Sequence, residues 1–185
     1  MDFTLSEDEK RMLLMTARES IRSRLFGDEL NLPRPTENMG TQCGAFVTIH
    51  KRGRLRGCIG HITGVKPLFT GIQELAVSAG FHDPRFPPLT GDEYPDIDIE
   101  ISVLTPLEVI DSPEKVEVGK HGVLIQKGIR SGVLLPQVAT EQGWDRETFL
   151  SYTCRKAGLP EDCWREGDTK IQVFSAIIFG EKGIV

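Results

Sequence analysis

The stretch AFVTIHKRGRLRGCIG, residues 45–60, contains two apolar segments separated by a short charged turn. The first segment, residues 45–50, is rich in β-branched and aromatic side chains, and residues 55–59 return as its partner after the turn at 51–54. Such a pair is typical of a β-hairpin. The hairpin predicts a sheet that is antiparallel at this point, and the remaining elements are assigned around it.

Helices are predicted on both sides of this hairpin. Ser6 and Glu9 form a capping-box pattern before an apolar stripe of helical spacing, which predicts a helix over about residues 7–26 that ends at Gly27. Pro67 opens a second helical segment, which Gly80 can end. A third helix is expected after Asp145, a residue type that caps helix N-termini.

Three further segments predict strands. Residues 96–103 alternate between apolar and polar side chains, residues 123–126 and 132–135 form a second hairpin, and residues 173–179 form a closing strand. The pattern predicts an α+β fold with a mostly antiparallel, open or barrel-like sheet and flanking helices, rather than a parallel βαβ array. Two hairpins that are each followed by a helix suggest duplicated β–α units within one domain over residues 1–185.

Composition restricts the class of protein. The chain has 185 residues, of which 39% are hydrophobic and 26% charged, with a net charge of −5. These values are typical of a globular protein, and the acidic balance argues against a nucleic-acid binder. No apolar run approaches the ~20 residues that a membrane helix needs, and the acidic N-terminus has no signal-peptide pattern, so a cytoplasmic location is expected.

The four cysteines do not form a C-x-x-C pair, so neither a zinc site nor a thioredoxin-like site is predicted. In a reducing cytoplasm all four are expected to be free thiols. No metal site is predicted from the sequence.

At residues 55–60, LRGCIG, the chain resembles the AMMECR family, whose bacterial and archaeal members are often called AmmeMemoRadiSam system protein A. Residues 83–89 and 99–104 resemble the second and third signatures of the family, and residues 135–138 and 156–160 also fit. Each segment alone is weak, but their order and spacing over residues 44–175 are specific. The N-terminal helix is less diagnostic.

The resemblance implies an α+β fold, with a larger and a smaller lobe or a duplicated β–α unit. It also implies association with Memo-like and radical S-adenosylmethionine proteins, the other members of the named system. It assigns neither a reaction nor a cofactor.

Cys58 is the sharpest candidate for chemistry. Strand alternation would place Arg56, Cys58 and Gly60 on one face, where Arg56 could favour the reactive thiolate. Gly57 and Gly60 would let backbone or ligand approach closely. The alternative is a small cysteine packed in a glycine-rich strand.

A cysteine nucleophile needs a base, which is usually histidine. The chain offers His50, His61, His82 and His121, and no spacing selects one of them.

Four residues outside the hairpin are further candidates. Arg85 could clamp an anion, or it could pair internally with Asp83 and hold the proline-rich loop in shape. Glu100 could act as an acid, a base or an orienting group, although the row that it forms with Asp96 and Asp98 also fits a solvated strand face. Gln137 could enter a cleft or cap the helix that follows.

The basic turn of Lys51, Arg52, Arg54 and Arg56 could contact phosphates, but it lacks aromatic neighbours for base stacking, which favours a solvated turn. Two hypotheses therefore remain. The first is a cleft with a cysteine-containing side that binds a small ligand or performs chemistry. The second is a non-catalytic binding or scaffold module for the two partner classes.

Overall fold

The structure, a computed structural model, describes residues 3–183 and divides into two compact units. Residues up to Leu104, together with the segment from Ile177 onward, form the first unit. Thr105–Ala176 forms the second unit.

The first unit combines two long helices with one antiparallel sheet. Its elements are α1 (Glu7–Phe26), β1 (Ala45–Lys51), β2 (Arg54–His61), α2 (Leu68–Phe81), β3 (Ile97–Leu104) and β8 (Ala176–Gly180). The strands lie in the order β2-β1-β3-β8, so β2 is an edge strand. The predicted hairpin is therefore present, and it forms one side of this sheet.

The second unit has the same kinds of element in a smaller arrangement. It contains β4 (Glu108–Ile110), β5 (Gly122–Lys127), β6 (Arg130–Leu134), α3 (Pro136–Gln142), α4 (Arg146–Lys156) and β7 (Lys170–Phe174). The strands lie in the order β4-β7-β5-β6. Phe149, Leu150 and the buried side chains of β5 and β7 form its core.

The start and end of α1 follow from local chemistry. The Ser6 hydroxyl accepts a hydrogen bond from the backbone N–H of Glu9, and the Glu9 carboxylate accepts one from the backbone N–H of Ser6. Gly27 ends the helix with a φ of 72°, a left-handed conformation that glycine adopts without a steric penalty. Leu13, Ala17 and Ile21 lie on one stripe and are fully buried.

The sheet of the first unit has two different faces. Val47 and Ile49 of β1 and the isoleucines of β3 are buried with α1 and α2 in one core. The alternate residues Thr48, His50, Asp98 and Glu100 are half-buried on the opposite face. We call this second surface, together with Cys58 of β2, the polar face.

The two sheets repeat one topology. In each sheet a hairpin, β1–β2 or β5–β6, is followed by a helix, and the first hairpin strand also pairs with a later strand, β3 or β7. The fourth strand comes from elsewhere in the chain, β8 in the first sheet and β4 in the second. The α+β prediction is confirmed, but the described strands form two open sheets rather than a closed barrel.

The closing strand expected over residues 173–179 is in fact two strands that belong to different sheets. The break is at Ser175, whose backbone N–H donates to Oγ1 of Thr105 and whose carbonyl accepts from the backbone N–H of Thr105. The segment 171–179 is apolar except at Gln172 and Ser175, and since Gln172 lies within β7, a polar residue by itself did not mark the break.

The expectation of four free thiols is wrong for two of them. Cys154, at the end of α4, forms a disulfide with Cys163, whereas Cys43 and Cys58 are free. The turn that follows α4 brings the two Cα atoms to 6.1 Å, a separation that suits a disulfide. Both cysteines are fully buried in the core of the second unit.

Replacement of Cys154 and Cys163 together by alanine is expected to lower the free energy of unfolding by about 2.5 kcal/mol, because the cross-link restricts the unfolded chain. Urea unfolding with and without reductant measures this. Reductant should lower the midpoint of the wild type and leave that of the double variant unchanged. An unchanged wild-type midpoint would contradict the stabilising role of the disulfide.

Candidate functional site

The β1–β2 hairpin contains a β-bulge at Arg56. Cys58 pairs with Thr48 and Gly57 with Ile49, but His50 pairs with Leu55, so Arg56 is an extra residue on β2. The bulge interrupts the alternation on which a common face for Arg56 and Cys58 was predicted. Regular alternation does not hold across an inserted residue, so the predicted shared face has no basis.

Arg56 is bound to Glu93 instead. Its Nε and Nη2 atoms donate to the two carboxylate oxygens of Glu93 at 3.0 and 2.9 Å, and Lys51 Nζ donates to the same carboxylate at 2.9 Å. Hydrogen bonds from Arg56, and then from Lys51 and the Thr90 backbone, lower the pKa of Glu93 to about 2. Since Arg56 Nη2 also donates to the Pro88 carbonyl, Arg56 fastens the 83–93 loop to the sheet.

Carboxylates therefore balance most of the basic turn. Arg52 Nη2 donates to Asp96 at 2.7 Å, while Lys51 and Arg56 share Glu93. These pairs leave little unbalanced positive charge for phosphate binding, which favours the structural interpretation of the turn.

Asp83 and Arg85 hold the outer edge of β2 at Cys58, an arrangement that we call the edge clamp. The backbone N–H of Cys58 donates to Asp83 Oδ2 at 2.9 Å, and the Cys58 carbonyl accepts from Arg85 Nη2 at 3.2 Å. The free hydrogen-bonding groups of an edge strand are normally satisfied by another strand or by solvent. Here two side chains of one loop replace the missing strand.

Asp83 and Arg85 also bind each other. Arg85 donates from Nε to Asp83 Oδ1 at 3.0 Å and from Nη2 to Oδ2 at 2.7 Å, a bidentate pair. Hydrogen bonds from Arg85, together with the backbone N–H groups of Cys58 and Arg85, hold the pKa of Asp83 well below its usual range. The internal contact that the sequence left open is thus present. Because the Arg85 side chain is 54% exposed, its predicted ligand-binding role stays a prediction.

The two glycines of the signature have structural partners. A Cβ atom on Gly57 would lie 2.1 Å from the Ala79 carbonyl oxygen of α2, and one on Gly60 would lie 2.2 Å from the Phe46 ring. The space that was predicted for a ligand at Gly57 and Gly60 is therefore occupied by α2 and by Phe46. These contacts explain both glycines without a ligand.

The thiol of Cys58 lies on the polar face, half-buried and free. The Thr48 hydroxyl donates to its Sγ atom at 3.3 Å. On the other side of β1, Thr48 is paired in register with Glu100 of β3. Cys58, Thr48 and Glu100 thus form a row across three adjacent strands.

Glu100 is half-buried and has no hydrogen bond or ion pair with another residue in the range 3–183. It borders a cavity of about 230 Å³ that Asp98 and the 178–183 segment also line. Two other cavities of the first unit, of about 240 and 610 Å³, are lined by α2 together with the 61–66 segment or with α1. Of these three cavities, the one at Glu100 adjoins the polar face.

The four histidines lie at different places in the structure. His50 lies on the polar face, in register with Asp98 and with its Nδ1 atom 4.0 Å from Asp98 Oδ2. His61 is paired with Ala45, a core residue, and therefore lies on the opposite face. His82 is exposed after α2, and His121 belongs to the second unit. Sequence alternation relates His50 to Thr48, but no local signal relates it to Cys58 or Asp98.

Gln137 is the second residue of α3 in the second unit, directly after Pro136. Its Oε1 atom is buried and makes no hydrogen bond with residues 3–183. Its role in a ligand site stays a prediction.

Within residues 3–183, no group of three or more histidine, cysteine and acidic side chains is arranged to hold a metal ion. In the same part of the chain, no helix has the length and apolar character to cross a membrane.

The fold and the polar face define the class of protein. It is an α+β protein with two topologically repeated sheets, one of which carries a free thiol next to a threonine and a carboxylate that has no partner within residues 3–183. The model of the AMMECR1 family matches residues 14–179, so the chain belongs to the AMMECR1 family.

Archaeal relatives extend over almost the whole chain. A protein from Methanothermobacter thermautotrophicus is 48% identical over 97% of both chains, and protein MK0488 from Methanopyrus kandleri is 45% identical over 96% of this chain and 91% of its own. The crystal structure of the uncharacterized protein PH0010 from Pyrococcus horikoshii is 41% identical, covers 96% of this chain and 94% of its own, and has a TM-score of 0.83. These names specify no activity.

Proposed function

We propose that the polar face of the first sheet binds a small polar ligand through Cys58 and Glu100. The observation that carries the proposal is the row of Cys58, Thr48 and Glu100 across β2, β1 and β3. Thiol, hydroxyl and carboxylate groups at successive register positions offer one nucleophile and two hydrogen-bonding groups within the span of a small molecule.

The fixed position of the Cys58 backbone supports this function. The edge clamp fixes the N–H and carbonyl groups of Cys58, and β1 holds the other edge of the same strand. A binding group that is held before the ligand arrives loses little conformational entropy on binding. The clamp residues would then act by positioning Cys58, while the half-exposed Arg85 side chain remains a candidate contact for an anionic group.

The Glu100 carboxylate also supports the proposed ligand site. The half-buried Glu100 carboxylate has no partner among the described residues, so it can accept a hydrogen bond from a ligand donor. Its position beside a cavity of about 230 Å³ leaves room for such a group. We therefore expect a ligand with an amine, amide or hydroxyl donor.

Thermal unfolding in the presence of a panel of small polar metabolites tests the proposal. At least one compound should raise the melting temperature of the wild type, and Cys58→Ser and Glu100→Gln should each weaken its binding at least tenfold, about 1.4 kcal/mol. Glu114→Gln, which changes an exposed carboxylate of the second unit, is the matched control. The proposal fails if no compound stabilises the wild type, or if all variants respond alike.

The second candidate function is a binding module for Memo-like and radical S-adenosylmethionine proteins. The observation that favours it is β4, a short edge strand on which Val109 is 57% exposed. An exposed edge strand can pair with a strand of a partner. Co-purification of these partners with the wild type, and its loss in Val109→Lys, would support this function. Absence of any complex at micromolar concentrations would count against it.

We also propose that the protein is located in the cytoplasm, and cell fractionation tests this location.

A further inference from the structure

His50 is the histidine that shares the polar face with Cys58. On β1 it lies two residues after Thr48, and Thr48 donates a hydrogen bond to the Cys58 sulfur. Residues two apart on a strand point to the same face, so the imidazole and the thiol are diagonal neighbours on adjacent strands. Such neighbours are separated by roughly 7–8 Å between Cα atoms, within reach of a histidine ring.

Asp98 of β3 is the neighbour of His50 on the other side of β1. The His50 Nδ1 atom faces Asp98 Oδ2 of β3 at 4.0 Å, and the side chains are 28% and 18% exposed. The second ring nitrogen, Nε2, lies on the opposite side of the ring and makes no hydrogen bond with residues 3–183. Across the sheet, the order is therefore a carboxylate on β3, an imidazole on β1 and a thiol on β2.

We infer that His50 is the general base that removes the proton of Cys58, with Asp98 as a positioning residue. The inference rests on the proposed function and adds the class of ligand, a small molecule with an electrophilic carbon. In the step, the Sγ proton passes to His50 Nε2 and sulfur forms a bond to the carbon. The bond from that carbon to its leaving group breaks, and the leaving group departs with the electron pair.

Other charged and polar groups lie near Cys58 and His50. Arg85 donates to the Cys58 carbonyl, and the Thr48 hydroxyl donates to Cys58 Sγ. Glu100 is next to Thr48 in register and is a further carboxylate on the polar face. Lys182 binds Oδ1 of Asp98, and the other carboxylate oxygen of Asp98 lies 4.0 Å from His50 Nδ1.

Alkylation of Cys58 by iodoacetamide from pH 5 to pH 9, followed residue by residue with mass spectrometry, tests the inference. At pH 7 the wild type should react at least tenfold faster than His50→Gln, because general bases contribute about 10²–10⁴-fold to such steps. Asp98→Asn should move the midpoint of the pH profile. His61→Gln, three residues from Cys58 but on the opposite face, should match the wild type.

Cys43 is the internal control, because it is buried and burial raises the pKa of its thiol. It should react slowly in every variant. Circular dichroism and thermal melting identify variants that do not fold, and His50→Asn provides a second substitution at the same position.

Two results would overturn the inference: equal alkylation rates in folded wild type and His50→Gln across the pH range, or a Cys58 that reacts only in urea. The metabolite experiment is independent of these results. If metabolite binding depends on Cys58 but His50→Gln does not change the alkylation rate, the ligand site is supported and the role of His50 as general base is not. If alkylation depends on His50 but no metabolite stabilises the wild type, the general base is supported and the ligand site is not.

Discussion

Replacement of Asp83 by alanine is expected to lower the free energy of unfolding by about 3 kcal/mol. The substitution removes the acceptor for the Cys58 N–H and for the Arg85 backbone and guanidinium. It leaves the Cys58 N–H at the edge of β2 without an acceptor and Arg85 without its partner. Because Arg85 is half-exposed, water compensates part of the loss, and the expected cost is at the low end for a broken buried pair. Chemical denaturation measures the change.

Asp92→Ala, on an exposed carboxylate of the same loop region, is the matched control and should change stability by less than about 0.5 kcal/mol. A loss below about 1 kcal/mol in Asp83→Ala would contradict the importance of the edge clamp.

The contribution of Asp83 should also depend on pH. Its pKa is lower in the folded protein than the ordinary value of 3.8, so its ionised form stabilises the fold above that value. The stabilisation should decrease as the pH falls below about 4, where the unfolded chain takes up the proton first. The stability difference between wild type and Asp83→Asn should therefore be constant near neutrality and shrink in acid. A constant difference down to pH 2 would contradict the lowered pKa.

Gly57→Ala is expected to destabilise the protein by about 3 kcal/mol or more, because β2 and α2 must separate. The new Cβ atom would lie 2.1 Å from the Ala79 carbonyl oxygen, and neither partner is a flexible side chain. Thermal and urea unfolding measure the change.

Gly71→Ala is a matched control within α2, since its Cβ atom would meet no atom within 4 Å. It should be neutral or stabilising, because alanine favours a helix by up to about 1 kcal/mol over glycine. Equal effects of the two substitutions would show that β2 and α2 are not closely packed.

These predictions divide the signature residues into two groups. Gly57 allows α2 to approach, while Asp83 and Arg85 hold the backbone of Cys58. Packing and hydrogen bonding account for these three residues. The Cys58 thiol and the Glu100 carboxylate have no comparable structural task, which is why the proposed ligand site rests on them.

The sequence by itself determined the local elements. The capping box at Ser6, the glycine at 27 and the apolar stripe predicted α1 with its observed bounds, Glu7–Phe26. Alternation in residues 96–103 predicted β3 and assigned Asp98 and Glu100 to the polar face. These features depend on residues within one or two turns of each other, so they can be inferred without the fold. The order and spacing of the signature segments also identified the family, because both are properties of the sequence alone.

Only the tertiary structure decided how these elements meet. The bulge at Arg56, the neighbours of Cys58, the pairing of His50 with Asp98 and the Cys154–Cys163 disulfide all depend on register or on a chain turn. A strand has a side-chain period of two and carries no mark of its partner, and one inserted residue changes which face follows. The LRGCIG stretch could therefore be recognised from the sequence, but the structural role of each of its residues depends on contacts with the neighbouring strand, helix and loop.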